Sequence, residues 1–283
     1  MTIKRKITKT VRDVASMLAI LVASRLIGVY WPKTLQANFS ATLAHMIWGP
    51  LVYLALVLIG FYFLNKYVFH DRFRLIGFPP RIRSRYFTWG AALVGMFYTG
   101  TLATGVRLVL PSVNAQAAAQ MAVSIFDTAM IAPLVEELVF RGVILPRISK
   151  RHGIWKGILI SSVLFGAAHM MNGQMDAAST VQTVVNITLI GIFLSLLCLK
   201  EKSIWASFTV HAMNNLIEIL LPINTSVQHD WPVNLVLTSS RRFVTGGAYG
   251  TDTNGIYMLA AAVMILWILG RSQSLRQALG FNV

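Results

Sequence analysis

The stretch AQMAVSIFDTAMIAPLVEELVFRGV, residues 119–143, decides how the chain folds. It is mostly apolar and long enough to cross a hydrocarbon core of about 30 Å as a helix. Yet it carries Asp127, Glu136, Glu137 and Arg141. Ionisable groups inside a span are costly, so they mark either function or mutual pairing. Working outward, further apolar windows lie near 14–31, 43–65, 87–110, 154–172, 181–199, 203–222 and 255–270. Lipid cannot satisfy backbone polar groups, so spans of this kind must be helices. The expected fold is all-α: a polytopic membrane protein of about eight transmembrane helices, forming one membrane-embedded domain over residues 1–283.

Composition agrees. Charged residues make up 12% of the 283 residues, hydrophobic residues 55%, and the mean hydropathy is +0.63. A soluble domain carries roughly 25% charged residues. The net charge of +15 would suggest nucleic acid on a soluble protein. Here it reads as basic loops beside anionic lipid, so the lipid bilayer is the expected partner and nucleic acid is not. The single cysteine, Cys198, excludes an intramolecular disulfide. The basic segment MTIKRKITKTVRD precedes an apolar run that Arg25 interrupts, and no A-x-A-like cleavage site follows. It reads as an uncleaved first span.

Loop charge predicts the topology. Most of the 25 basic residues fall in alternate segments: Lys4 to Arg12, Lys66 to Arg85, Arg147 to Arg151, Lys200 with Lys202, and Arg271 with Arg276. Lys33, Arg241 and Arg242 fall between. This pattern places both termini in the cytoplasm and makes the span number even. The long connection 223–254, with TGGAYGTDTNG, then lies outside and reads as a flexible Gly- and Thr-rich loop. Near the outer end of the first span, Arg25 shares a depth with Arg107 and Asp127, so Asp127 is expected to pair with one of them as a structural bridge.

Glu137 and Arg141 are four apart, share a helix face and can pair. Glu136 is offset by about 100° and is free to point elsewhere. Two later spans carry companions on one face each: Phe165 with His169, and His211 with Asn215. Taken singly, each has a bland reading, as an ion pair or as hydrogen-bonded packing between helices. Taken together, a carboxylate, two imidazoles and a carboxamide suit hydrolysis of an amide bond. Glu136 would activate water, and neutral imidazoles and a carboxamide would donate to the oxyanion. No serine elbow or cysteine dyad offers a covalent nucleophile. Glu136, His169 and His211 can alternatively be read as a His₂Glu site for a divalent metal such as zinc. The two alternatives, no cofactor or one metal, stay open here.

At these residues the chain resembles the CPBP intramembrane proteases, the group of CAAX prenyl endopeptidases, bacteriocin-processing enzymes and Abi proteins. The family pattern E-E-x-x-x-R, F-x-x-x-H, H-x-x-x-N is met by Glu136, Glu137 and Arg141, by Phe165 and His169, and by His211 and Asn215. The resemblance implies a catalytic core over 119–222. It implies Glu136 as catalytic base, with His169, His211 and Asn215 also catalytic and Glu137, Arg141 and Phe165 supporting. The implied substrate is a membrane-associated peptide or protein, lipidated in CAAX processing, and the implied location is a prokaryotic plasma membrane. The competing functions are a non-catalytic immunity or scaffold protein and a coupled transporter.

Overall fold

The computed structural model describes residues 2–30, 39–69, 81–172 and 176–280. Lys33, Arg72 and Arg74 of the loop-charge pattern lie outside the described residues. The chain is mostly helical, and each apolar window contains a helix. These are α1 (Ile3–Tyr30), α2 (Phe39–Phe63) with a π-helical extension Leu64–Phe69, and α3 (Ser84–Leu102). One long helical stretch follows: α4 (Ala115–Ser124), a π segment (Ile125–Ile131), α5 (Ala132–Glu137), a second π segment (Leu138–Ile144) and α6 (Leu145–His152). Then come α7 (Ile154–Ala168), α8 (Ala177–Glu201) and α9 (Ile204–Leu220). The chain closes with the short α10 (Arg242–Thr245), α11 (Gly255–Gly270) and α12 (Gln273–Ala278). Among the described residues, Ile47–Phe69 and Ala177–Glu201 are long and apolar enough to cross a membrane. Ile154–Ala168 and Gly255–Gly270 are apolar but shorter.

Two expectations change. The window 87–110 is not one helix: α3 stops at Leu102, and Val106–Val109 form strand β1. Gly105, at φ +99°, turns the chain, and β-branched residues then favour an extended path. β1 pairs antiparallel with β3 (Asn234–Leu237), which pairs parallel with β2 (Ile223–Asn224). The connection 223–254 is also not a loose loop, because its Thr and Asn side chains replace water as backbone partners. Thr251 Oγ1 donates to the Ile223 carbonyl at 2.9 Å, and Asn254 Nδ2 donates to the Val244 carbonyl at 2.9 Å. Asn254 also caps α11, accepting from the Tyr257 amide at 2.7 Å.

The core lies in two clusters. One is built on α3, α8, α9 and α11, with Leu93, Phe97, Phe193, Val210 and Met264. The other joins α1, α2, α7 and the 131–148 stretch, with Met17, Tyr53, Val135, Phe140 and Phe165. Helices α7 and α8 cross closely through small residues. A Cβ on Gly166 would meet the Val184 carbonyl at 2.8 Å, and one on Gly191 would meet Ser162 Cβ at 2.9 Å.

The basic segments gather at one end of the bundle. Thr10 Oγ1 contacts His152 Nε2 at 2.9 Å, Trp155 Nε1 donates to the Leu279 carbonyl at 2.9 Å, and Arg85 pairs with Glu201. At this end Asp13, fully buried at its side chain, binds Arg147 at 3.0 Å, Arg151 at 2.6 Å and Arg12 at 2.8 Å. Burial raises the Asp13 pKa, but the three guanidiniums outweigh it and hold the carboxyl below its usual 3.8. At the other end, Arg25 meets Asp127 at 3.2 Å, as the depth argument predicts, and thereby ties α1 to the first π segment.

These two ties differ in burial, so their losses are graded. Asp13→Ala removes a buried carboxylate shared by three arginines and is expected to cost about 3–5 kcal/mol. Asp127→Asn, in a half-exposed pair, is expected to cost about 1 kcal/mol or less. Unfolding of the purified protein in mixed micelles measures both. Asp13 stabilises only while ionised, so its contribution is lost as pH falls below about 3.8.

Candidate active site

The long helical stretch owes its irregularity to proline. Pro133 and Pro146 each sit in the first turn after a π segment. A proline lacks the N–H that an α-turn needs, and the wider π turn before it accommodates the missing bond. Glu136 and Glu137 occupy the α-turn between the two π segments, so their directions are set by backbone that departs from regular helix on both sides.

Glu137 turns inward and is fully buried; Arg141 is equally enclosed. Arg141 Nη1 donates to Glu137 Oε1 at 2.8 Å, and its Nη2 donates to the Gly191 carbonyl at 3.2 Å. The close α7–α8 crossing is what brings that carbonyl within reach. The guanidinium also lies 4.3 Å from the centroid of the Phe165 ring. Glu137 Oε1 accepts a second bond from His211 Nδ1 at 3.1 Å. The expected pair of Glu137 and Arg141 is therefore present, and it reaches across to α9.

Glu136 turns the other way, with its side chain 23% exposed. Its Oε2 lies 3.8 Å from His211 Nε2. His211 thus stands between the two carboxylates, bound by one and facing the other. An ionised carboxylate only accepts, so His211 Nδ1 carries the proton and the neutral ring offers Nε2 as an acceptor. The same logic applies to His169, whose Nδ1 lies 2.9 Å from the Phe165 carbonyl. In the neutral form with the proton on Nδ1, both rings present a lone pair at Nε2. Asn215 Nδ2 donates to the Thr128 carbonyl in the first π segment at 2.9 Å, leaving its second amide hydrogen to be placed elsewhere.

Phe165 organises both imidazoles. His169 lies 4.8 Å and His211 5.8 Å from its ring centroid, and Phe140 packs against it at 5.2 Å. Glu136, Phe165, His169, His211 and Asn215 line one cavity of about 780 Å³ at the seam of the two core clusters. Glu137 and Arg141 support it from behind. Part of the apolar wall comes from α1, through Leu18, Leu21, Val22 and Leu26. The proposed metal ligands do not form a site in this arrangement. Among the described residues, no group of three His, Cys, Asp or Glu is placed to hold a metal ion.

Residues 118–217 are similar to one known protein family. The matching family is described as type II CAAX prenyl endopeptidase Rce1-like, consistent with a CPBP family intramembrane protease. The match runs from α4 into α9 and includes Glu136, Glu137, Arg141, Phe165, His169, His211 and Asn215. No curated protein and no solved structure gave a match.

Sequence reasoning did not assign Asn214, Tyr249, Asp252 or Tyr257 to the cavity they line. Glu218 also lines it, seven residues after His211 and on nearly the same face of α9. Tyr249 and Asp252 had no signal, because the outer connection reads as loop until its buried Thr and Asn partners are known; Asn214 and Tyr257 lie in predicted spans, and the bond between them joins helices far apart in sequence.

Phe165→Ala removes the surface on which Arg141 and both imidazoles rest. It is expected to cost about 3 kcal/mol or more in unfolding measurements, by the usual range for a buried aromatic. Phe165→Leu should recover part of that loss but not the guanidinium contact.

Proposed function

We propose that the protein is an intramembrane endopeptidase in which Glu136 activates water for attack on a peptide bond. The observation that carries this reading is the 3.8 Å approach of Glu136 Oε2 to His211 Nε2, with Glu137 holding the far side of the ring. That separation is too long for a direct hydrogen bond but suits one water bound to both groups.

The proton path follows from these atoms. Glu136 takes one hydrogen of the water while His211 Nε2 accepts a hydrogen bond from the other. The water oxygen bonds to the carbonyl carbon, and the free amide hydrogen of Asn215 meets the developing oxyanion. Glu136 then returns its proton to the amine nitrogen as the C–N bond breaks, leaving a carboxylic acid and an amine. His169 offers a further acceptor on the same cavity. Glu137 is a positioning residue: it fixes the tautomer and orientation of His211. We further propose eight membrane crossings with both termini in the cytoplasm, supported by the gathering of the basic segments at one end. The proposed substrates are CAAX-type lipidated C-termini, supported by the apolar α1 wall, which suits a lipid tail. Processing of bacteriocin-type peptides is the other substrate class that the family resemblance implies.

Protein reconstituted in liposomes with quenched fluorescent membrane peptides tests the reading. Glu136→Gln is expected to reduce turnover by at least about 100-fold with unfolding unchanged, as is His211→Ala. Equal turnover in Glu136→Gln and the natural chain overturns it.

A further inference from the structure

Above the proposed catalytic group, the cavity continues along α9 to a second set of polar side chains. Glu218 Oε1 accepts from Asn214 Nδ2 at 2.5 Å, and Asn214 Oδ1 accepts from the Tyr257 hydroxyl at 2.8 Å. This chain fixes the Glu218 carboxylate against the cavity. Asp252, from the short turn before α11, faces the same space. It is half-buried there, and its carboxylate accepts a hydrogen bond from its own backbone. Among the described residues, neither Glu218 nor Asp252 is paired with a cation. The fully buried carboxylates among the described residues each have one: Asp13 has three arginines, and Glu137 has Arg141.

Two carboxylates on one poorly hydrated cavity repel each other when both are ionised. A cation between them removes that repulsion and supplies the partner Asp252 lacks. Arg25 also lines the cavity, but it is committed to Asp127. A cation that pairs with this end of the cavity therefore comes with what enters.

We propose that Glu218, Asp252, Asn214 and Tyr257 form a subsite for a basic side chain, Lys or Arg, of the peptide substrate. The identity of the peptide as substrate rests on the endopeptidase reading. The geometry limits where the basic residue falls. Glu218 follows His211 by seven residues, a rise of about 10 Å along the helix. An extended peptide covers that in about three residues, so the basic side chain lies within about three positions of the scissile bond.

Binding separates this inference from catalysis. Eight-residue apolar peptides carrying Lys, norleucine or Glu at matched positions are titrated against the full-length Glu136→Gln protein in micelles. The expected order is Lys tightest, about tenfold or more over norleucine, with Glu weakest. Adding Asp252→Asn should shrink the Lys-to-norleucine ratio at least threefold; Glu218→Gln provides the second variant if that protein does not fold. Equal binding of Lys and norleucine peptides, no binding of any peptide, or a ratio unchanged by both substitutions overturns the subsite. Failure of the natural chain to cleave any peptide would refute the endopeptidase reading instead and leave the binding ratio to decide this one.

Discussion

The site depends on one buried ion pair, Glu137 with Arg141. Both groups are almost wholly removed from solvent, where an unpaired charge is very costly. Pairing at 2.8 Å offsets that cost, Arg141 Nη2 donates to the Gly191 carbonyl, and the guanidinium lies against the face of Phe165. Three helical elements are joined in this way: the 115–152 stretch, α7 and α8. Through His211 Nδ1 the same carboxylate reaches α9. The pair therefore does more than neutralise itself. It fixes the frame against which Glu136 can be left partly exposed, unpaired and facing the cavity.

Adjacent carboxylates with opposite environments are the consequence. Glu137 is fully enclosed and charge-compensated, whereas Glu136 faces the cavity with an imidazole at 3.8 Å. Adjacent positions on a helix diverge by about 100°, so one backbone turn can serve both tasks. The π segments on either side, each followed by a proline, set that turn apart from regular helix. The same asymmetry divides the roles of His211, whose two nitrogens meet two different glutamates.

Much of this was legible before any coordinates. The apolar windows locate the helices, because length and hydropathy are local properties. The i, i+4 spacing of Glu137 and Arg141, and the depth match of Arg25 with Asp127, predict the two ties that form. The bond from His211 to Glu137 was not legible, since it joins helices far apart in sequence and depends on where two π segments leave the carboxylate. The tautomers were equally hidden: that of His169 follows from its position at the end of α7, above its own Phe165 carbonyl. Strand β1 escaped because an apolar run reads alike as the end of a span or as a short strand. The cavity wall from α1 and the carboxylates at its outer end emerge only when the two core clusters are brought together.

The central claim is that Glu137 holds His211 with its proton on Nδ1, so that Nε2 is open toward Glu136. Nitrogen-15 NMR of histidine-labelled protein in micelles, above the pH at which imidazole protonates, reads this directly. The account predicts the Nδ1–H tautomer at His211, converted to a mixture by Glu137→Gln while the His169 signal stays unchanged. A predominant Nε2–H tautomer at His211 in the natural chain would contradict it.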